Sequence, residues 1–342
     1  MVAVRAAGGA TLALSGMLQD RVDPELMAAF STLEPAGPDQ DIVAARQADV
    51  AAVSRALGEA DSRTQVVDHE LAGSAGHAVR VRVYRPAAGE PAGLPALLWM
   101  HGGGFSMGLP EMDEAFSRRV AAEAGCIVAS VDYRLAPEHP FPAAIEDCYD
   151  ALGWLADGPT GLAVDGRRLA VGGASAGGGL AAGLALLARD RGGPAISFQF
   201  LKYPCLDDRL QTGSSKEITD PRLWARDQAR RAWREYLGSP VGAASPYAAP
   251  ARATDLQGLP PAYIYAAELD LLRDENIEYA NNLLAAGVSV ELHLVRGTLH
   301  GSDGLAPEAA VSRRNLDEFL AVIRAALHPN SPAVAGQVPR PT

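Results

Sequence analysis

Residues 169–180 read LAVGGASAGGGL, and this stretch decides the reading of the whole chain. A short apolar run ends in Gly173-Ala174-Ser175-Ala176-Gly177, and an Ala- and Leu-rich run follows. The order is strand, sharp turn, helix. A serine on such a turn is held in a strained conformation, and neighbours without side chains let the turn close. The amides at the start of the next helix favour negative charge there. A dinucleotide-binding loop would place Gly-x-Gly-x-x-Gly after the first strand, whereas this motif follows the fifth. Ser175 therefore reads as a nucleophile, with a phosphate loop or a plain tight turn as the alternatives.

Outward from this motif the chain alternates. Apolar strand-like runs fall at Thr64–His69, Val79–Tyr84, Ala96–Met100, Cys126–Val131, Leu169–Val171, Ile196–Leu201, Ala262–Ala266 and Val288–Val295. Helix-like runs fall at Glu111–Ala124, Pro142–Leu155, Ala176–Arg189, Glu275–Ala286 and Ala309–Leu327. Continuously apolar strands such as PALLWM suit burial on both faces of a parallel sheet. The first two runs alternate and are joined by AGSAGH, which predicts an antiparallel hairpin at one edge. The fold class is α/β, a mostly parallel eight-stranded sheet with helices on both faces.

Two regions break the alternation. Residues 17–60 are helical in pattern, and residues 205–250 carry Trp224, Trp233 and Tyr236 without a strand. Together they predict a helical cap, or else ordinary peripheral helices, beside a catalytic domain of residues 61–204 and 251–328. Residues 1–16 read as a disordered leader and 329–342 as a flexible tail.

The net charge of −11 argues against nucleic acid or an anionic membrane as partner. No apolar run approaches the ~18 residues of a membrane helix. Cys126, Cys148 and Cys205 are too scattered for a disulfide framework, which fits a cytoplasmic setting. The chain uses 28 Arg and only 2 Lys (Lys202 and Lys216), so an arginine at any one place carries little functional signal.

A second motif, Trp99-Met-His-Gly-Gly-Gly-Phe105, follows the third strand. Consecutive glycines allow the backbone to approach a ligand closely. Their amides, with that of Ala176, suit a developing oxyanion. His101 reads as a brace for this loop. A serine nucleophile needs a base, and the base an orienting acid. Of the histidines after Ser175, His293 lies inside the last strand and His328 opens the tail, which leaves His300 in the loop past that strand. Glu268, Asp270 and Asp274 are the acid candidates, with Asp270 in the loop proper and Asp274 at a helix start.

These segments resemble the hormone-sensitive-lipase-like branch of the α/β-hydrolases, the bacterial family IV carboxylesterases. The resemblance rests on HGGGF at His101–Phe105, DYRLAPEHPFPAA at Asp132–Ala144 and GASAGGG around Ser175. It continues through LDLLRDE at Leu269–Glu275, the Tyr279–His293 stretch and His300-Gly301, and covers roughly residues 60–328. It implies Ser175 as nucleophile, Asp270 as acid and His300 as base, with Gly103, Gly104 and Ala176 as oxyanion donors. It further implies an α/β-hydrolase fold and a serine carboxylesterase acting through an acyl-enzyme on short-chain esters, with no metal or organic cofactor. The partner is a small-molecule ester, and a homodimer is one candidate assembly among the oligomeric states that the sequence leaves open. Phe105, Trp224 and Trp233 are candidates for the pocket wall, with packing within the cap the preferred reading for the two tryptophans. Ala174, Leu271 and Ser302 depart from the family pattern of Asp, Pro and Phe. An amidase, lactonase or peptidase with the same triad, or a non-catalytic binding protein, are the competing readings.

Overall fold

The computed structural model describes residues 20–33, 46, 62–87, 93–238 and 244–329. The leader at residues 1–16, nearly all of the tail and most of the N-terminal half of the expected cap lie outside the described residues.

In chain order the elements are α1 (Pro24–Ser31), β1 (Thr64–Ala72), β2 (Ala78–Pro86), β3 (Leu94–Met100), α2 (Glu114–Ala124), β4 (Ile127–Asp132) and α3 (Ala143–Ala156). They continue with β5 (Val164–Ala174), α4 (Ala176–Arg191), β6 (Phe198–Lys202), α5 (Gly213–Glu217), α6 (Arg226–Leu237), β7 (Ala262–Leu269), α7 (Arg273–Ala285), β8 (Val290–Leu299), α8 (Ser302–Leu305) and α9 (Ala310–Leu327). The eight strands form one sheet in the order β1-β2-β4-β3-β5-β6-β7-β8. The β1–β2 hairpin is antiparallel and pairs antiparallel with β4. From β4 to β8 every pairing is parallel.

Alternation along the strands divides the core. On β3, Ala96, Leu98 and Met100 enter one apolar cluster, whereas Leu97 and Trp99 enter the other. The first cluster holds the buried faces of α3 and α4, such as Leu152 and Leu184. The second is closed by α2 and α9, through Val120 and Phe319. Side chains of successive strand residues point to opposite faces, so a strand covered by helices on both sides is apolar at every position.

Two strand ends differ from the periodicity, and the second of them bears on the chemistry. β5 starts at Val164, because the polar segment Asp165–Arg168 still extends the strand after Leu94 pairs with Val164 across an irregularity. β8 runs on to Leu299, pairing Leu269 with Leu299 past a second irregularity, and so delivers His300 to the sheet's end. The expected helix Glu111–Ala124 divides into a 3₁₀ turn at Pro110–Asp113 and then α2.

Between β6 and β7 the chain makes α5, α6 and a 3₁₀ turn at Pro250–Arg252, without a strand among the described residues. α1 packs against this segment. The Arg222 guanidinium lies 4.2 Å from the centroid of the buried Phe30 ring. Arg21 bridges Glu217 at 2.9 Å and Glu268 at 3.2 Å. Among the described residues no helix is long and apolar enough to cross a membrane.

Candidate active site

Ser175 lies between β5 and α4 with φ 56° and ψ −118°. A non-glycine residue there carries roughly 1–3 kcal/mol of backbone strain and persists only when its surroundings fix it. Here the Ser175 N–H donates to the Lys202 carbonyl at 2.9 Å, and its own carbonyl accepts from the Gly179 and Cys205 amides, each at 3.0 Å. The flanking glycines are dictated by close approach. A Cβ on Gly177 would lie 2.0 Å from the Met100 carbonyl oxygen, and one on Gly173 would lie 2.3 Å from Gly177 backbone. The end of β3 passes directly over the turn.

Three loops converge on the serine. His300 Nε2 is 3.0 Å from Ser175 Oγ, and His300 Nδ1 is 2.7 Å from Asp270 Oδ2. The other Asp270 oxygen accepts the Leu272 N–H at 3.1 Å. Asp270 is 1% exposed and Ser175 7%, while the His300 side chain retains 14%. A buried carboxylate that holds Nδ1–H selects the tautomer whose Nε2 accepts a proton.

The other acid and histidine candidates are engaged elsewhere. Glu268 accepts from the Gly297 N–H and from Arg21. Asp274 accepts the Ser214 N–H at 2.6 Å and pairs with Arg273 at 2.8 Å. His293 bonds Glu291 and Glu318, and His328 Nε2 lies 3.2 Å from the Gly125 carbonyl.

The glycine loop borders the same space. Gly103 has φ 125°, and a Cβ there would lie 2.2 Å from the Met107 carbonyl oxygen. Ala176 is the first residue of α4, so its N–H has no acceptor within the helix. The loop is held from several sides. Tyr133 Oη donates to the His101 carbonyl at 2.8 Å, and the two rings stack with centroids 4.3 Å apart. His101 Nδ1 donates to the Gly102 carbonyl at 2.8 Å, and complete burial pushes its pKa down, keeping the ring neutral. Ser106 Oγ donates to Glu235 on α6 at 2.9 Å, and Arg46 Nε donates to the Ser106 carbonyl at 2.6 Å. Arg46 also donates to the Ala136 carbonyl and pairs with Glu138.

Arg46 thus ties the N-terminal part of the chain to the glycine loop. Loss of one direct oxyanion donor costs ~10²–10³ in kcat, so indirect loosening by Arg46→Ala should cost about tenfold. Steady-state kinetics should show this loss in kcat with KM changed less. An unchanged kcat would mean that the loop holds its shape without this contact.

Of the candidates for the pocket wall, Trp224 borders the site. Its Cη2 would be 2.8 Å from a Cβ on Gly104, and its ring stacks toward His300 at 6.2 Å and 24°. Phe105 is packed differently from the pocket-wall expectation, whereas Trp233 takes its preferred reading, packing within the cap segment. Phe105 stacks on Tyr236 with centroids 4.0 Å apart and lies 5.2 Å from Trp233, each ring buried to 2% exposure behind the loop. Their aromatic surfaces satisfy one another, which leaves them in the core.

Several neighbours of the site escaped the sequence reading. Cys205 Sγ is 3.7 Å from Ser175 Oγ, and burial pushes its thiol pKa far up. Glu275 accepts the Leu206 and Asp207 amides at 2.7 and 3.2 Å, and burial pushes its carboxyl pKa up. Its signal was its place in LDLLRDE. Arg46 gave no signal among so many arginines. Among the described residues no group of three His, Cys, Asp or Glu side chains is arranged to hold a metal ion.

Comparison with known proteins gives a consistent result. Residues 97–303 match the model of a family described as having the alpha/beta hydrolase fold. Esterase LipI of Mycobacterium tuberculosis (strain ATCC 25618 / H37Rv) is 41% identical over 268 residues, covering 77% of this chain and 83% of the relative. Ethyl acetate hydrolase of Pseudomonas putida is 35% identical over 245 residues, covering 71% and 77% respectively. Among solved structures, a bacterial heroin esterase superimposes with a TM-score of 0.85 at 46% identity, covering 90% of this chain and 98% of that one.

Proposed function

Since the chain belongs to the hormone-sensitive-lipase-like branch of the α/β-hydrolases and is a carboxylic ester hydrolase, we propose that Ser175 is its nucleophile and short-chain esters are its substrates. The observation that carries this reading is the continuous chain of contacts from Asp270 through His300 to Ser175, at 2.7 and 3.0 Å. Ser175 Oγ attacks the ester carbonyl while His300 Nε2 takes its proton. Asp270 holds the ring and stabilises the imidazolium. The Gly103, Gly104 and Ala176 amides receive the oxyanion. The alcohol leaves with the proton from His300, and water then attacks the acyl-enzyme by the same route. The packing of Phe30 against Arg222 and of Arg21 against Glu217 supports reading the described N-terminal residues and the segment after β6 as parts of one cap. The three buried free cysteines support a cytoplasmic setting.

Trp224 supports the preference for short chains, because its indole crosses from Gly104 toward His300 and narrows the space beside Ser175. The relative named for ethyl acetate points the same way. A panel of matched esters and amides of increasing acyl length tests the reading. kcat/KM should fall steeply beyond four carbons, and the amides should be turned over far more slowly. Each methylene in an apolar pocket is worth ~10-fold or more, so Trp224→Ala should raise the long-to-short ratio about tenfold. Rates that rise with chain length in the unaltered protein would exclude the short-chain reading.

A further inference from the structure

We propose that Lys202, Asp303 and Tyr203 form a buried latch that positions the His300 loop and keeps the Asp303 charge off the imidazole. The proposal rests on the reading of His300 as the base. Asp303 follows His300 by three residues, within α8. One of its oxygens pairs with the Lys202 ammonium and the other accepts from Tyr203 Oη at 3.0 Å. The Tyr203 ring lies 4.8 Å from the His300 ring, and the Lys202 ammonium lies 5.3 Å from the same Tyr203 ring. The Lys202 carbonyl accepts the N–H of Ser175. One dipeptide therefore touches the strained turn, the base and the ion pair. Tyr203 is itself strained, with φ 36°, and its N–H donates to the Tyr265 carbonyl at 2.6 Å.

The choice of cation is informative. Of 30 cationic residues only two are lysines, and one of them is here. Its Nζ is packed among Tyr203, Phe116 and Phe319, with centroids at 5.3, 5.6 and 5.7 Å. A compact ammonium fits among three rings and needs few acceptors, whereas a guanidinium is planar and brings five donors. Ala174 pairs with Lys202 across β5 and β6, and its methyl group brings no competing carboxylate.

The other groups around His300 leave the latch as the electrostatic variable. Asp270 faces Nδ1 and Ser175 faces Nε2, with Cys205 beside the serine. The Tyr203 and Trp224 rings flank the imidazole, and Tyr265 lies behind Tyr203 at 5.7 Å. Burial pushes the Tyr203 and Cys205 pKa values further above their ordinary range, so these groups stay neutral near pH 7, and it pushes the Glu275 pKa up as well. Asp113 is engaged by Trp99 Nε1 at 2.8 Å. With Lys202 removed, Asp303 would present an uncompensated negative charge on the His300 loop, and with Asp303 removed, Lys202 would present a positive one.

The test is the pH profile of kcat/KM on one short-chain ester for the unaltered protein, Lys202→Met, Asp303→Asn and the double variant. Unpaired Asp303 favours imidazolium, so the acidic limb should move up by about half to one pH unit in Lys202→Met and down by a smaller amount in Asp303→Asn. The double variant should return the limb toward its original position while kcat stays several-fold lower. Should Lys202→Met not fold, the direction of the limb in Asp303→Asn decides alone. A limb that stays put, or moves the same way in both single variants, overturns the latch. Failure of the underlying reading shows separately, as a His300→Gln variant that keeps most of its activity.

Discussion

Ser175→Ala should abolish turnover and leave the fold intact. The members of such a triad act as a unit, so removing the nucleophile should lower kcat by roughly 10⁴–10⁶. The fold should survive for a local reason. The bonds that hold residue 175 at φ 56° come from its backbone N–H and carbonyl, and alanine keeps both. Only the contacts of Oγ with His300 and Cys205 are lost. Near-UV circular dichroism should be unchanged while the burst of alcohol product disappears. If more than about a hundredth of the activity remains in a folded variant, Ser175 is not the nucleophile.

The reach of the sequence reading follows from what each feature depends on. Gly173 and Gly177 are legible because backbone contacts as close as 2.0 Å admit no other residue, so the turn announces itself locally. The strand pattern is legible for a similar reason, since burial on both faces leaves continuous apolar runs. His300 and Asp270 followed from chain order, and the geometry brings both to Ser175. The polar start of β5 at Asp165–Arg168 was not legible, because half-exposed strand residues carry no apolar signature. Nor were the supports of the glycine loop. Arg46, Tyr133 and Glu235 reach it across 60 residues or more in the case of Arg46 and 129 for Glu235, and such pairings exist only once the chain is folded. Phe105 misled for the same reason. An aromatic beside a site can face the substrate or other aromatics, and here the stack on Tyr236 decided it.

Asp270→Asn should cost roughly 10³–10⁴ in kcat, because the amide would impose the wrong tautomer on His300. The Leu272 N–H donates to Asp270 Oδ1 at 3.1 Å, so that position must stay an acceptor. An asparagine there keeps its carbonyl oxygen toward Leu272 and turns its NH₂ toward His300. Imidazole Nδ1 must then accept, which leaves the proton on Nε2, where it can no longer take one from Ser175. Loss of the carboxylate also removes a negative charge that favours imidazolium, so the acidic limb of the residual kcat/KM should move down. Asp274→Asn is the informative companion, since Asp274 stood beside Asp270 as a candidate acid. It accepts the Ser214 N–H and pairs with Arg273, contacts that join α5 to the start of α7. Its replacement should change kcat only a few-fold and leave the limb unmoved, with a modest fall in thermal midpoint. Steady-state kinetics and pH profiles of the two variants on one ester separate these roles. A comparable collapse of kcat in folded Asp274→Asn, with Asp270→Asn nearly intact, would transfer the role of the acid from the loop after β7 to the helix that follows it.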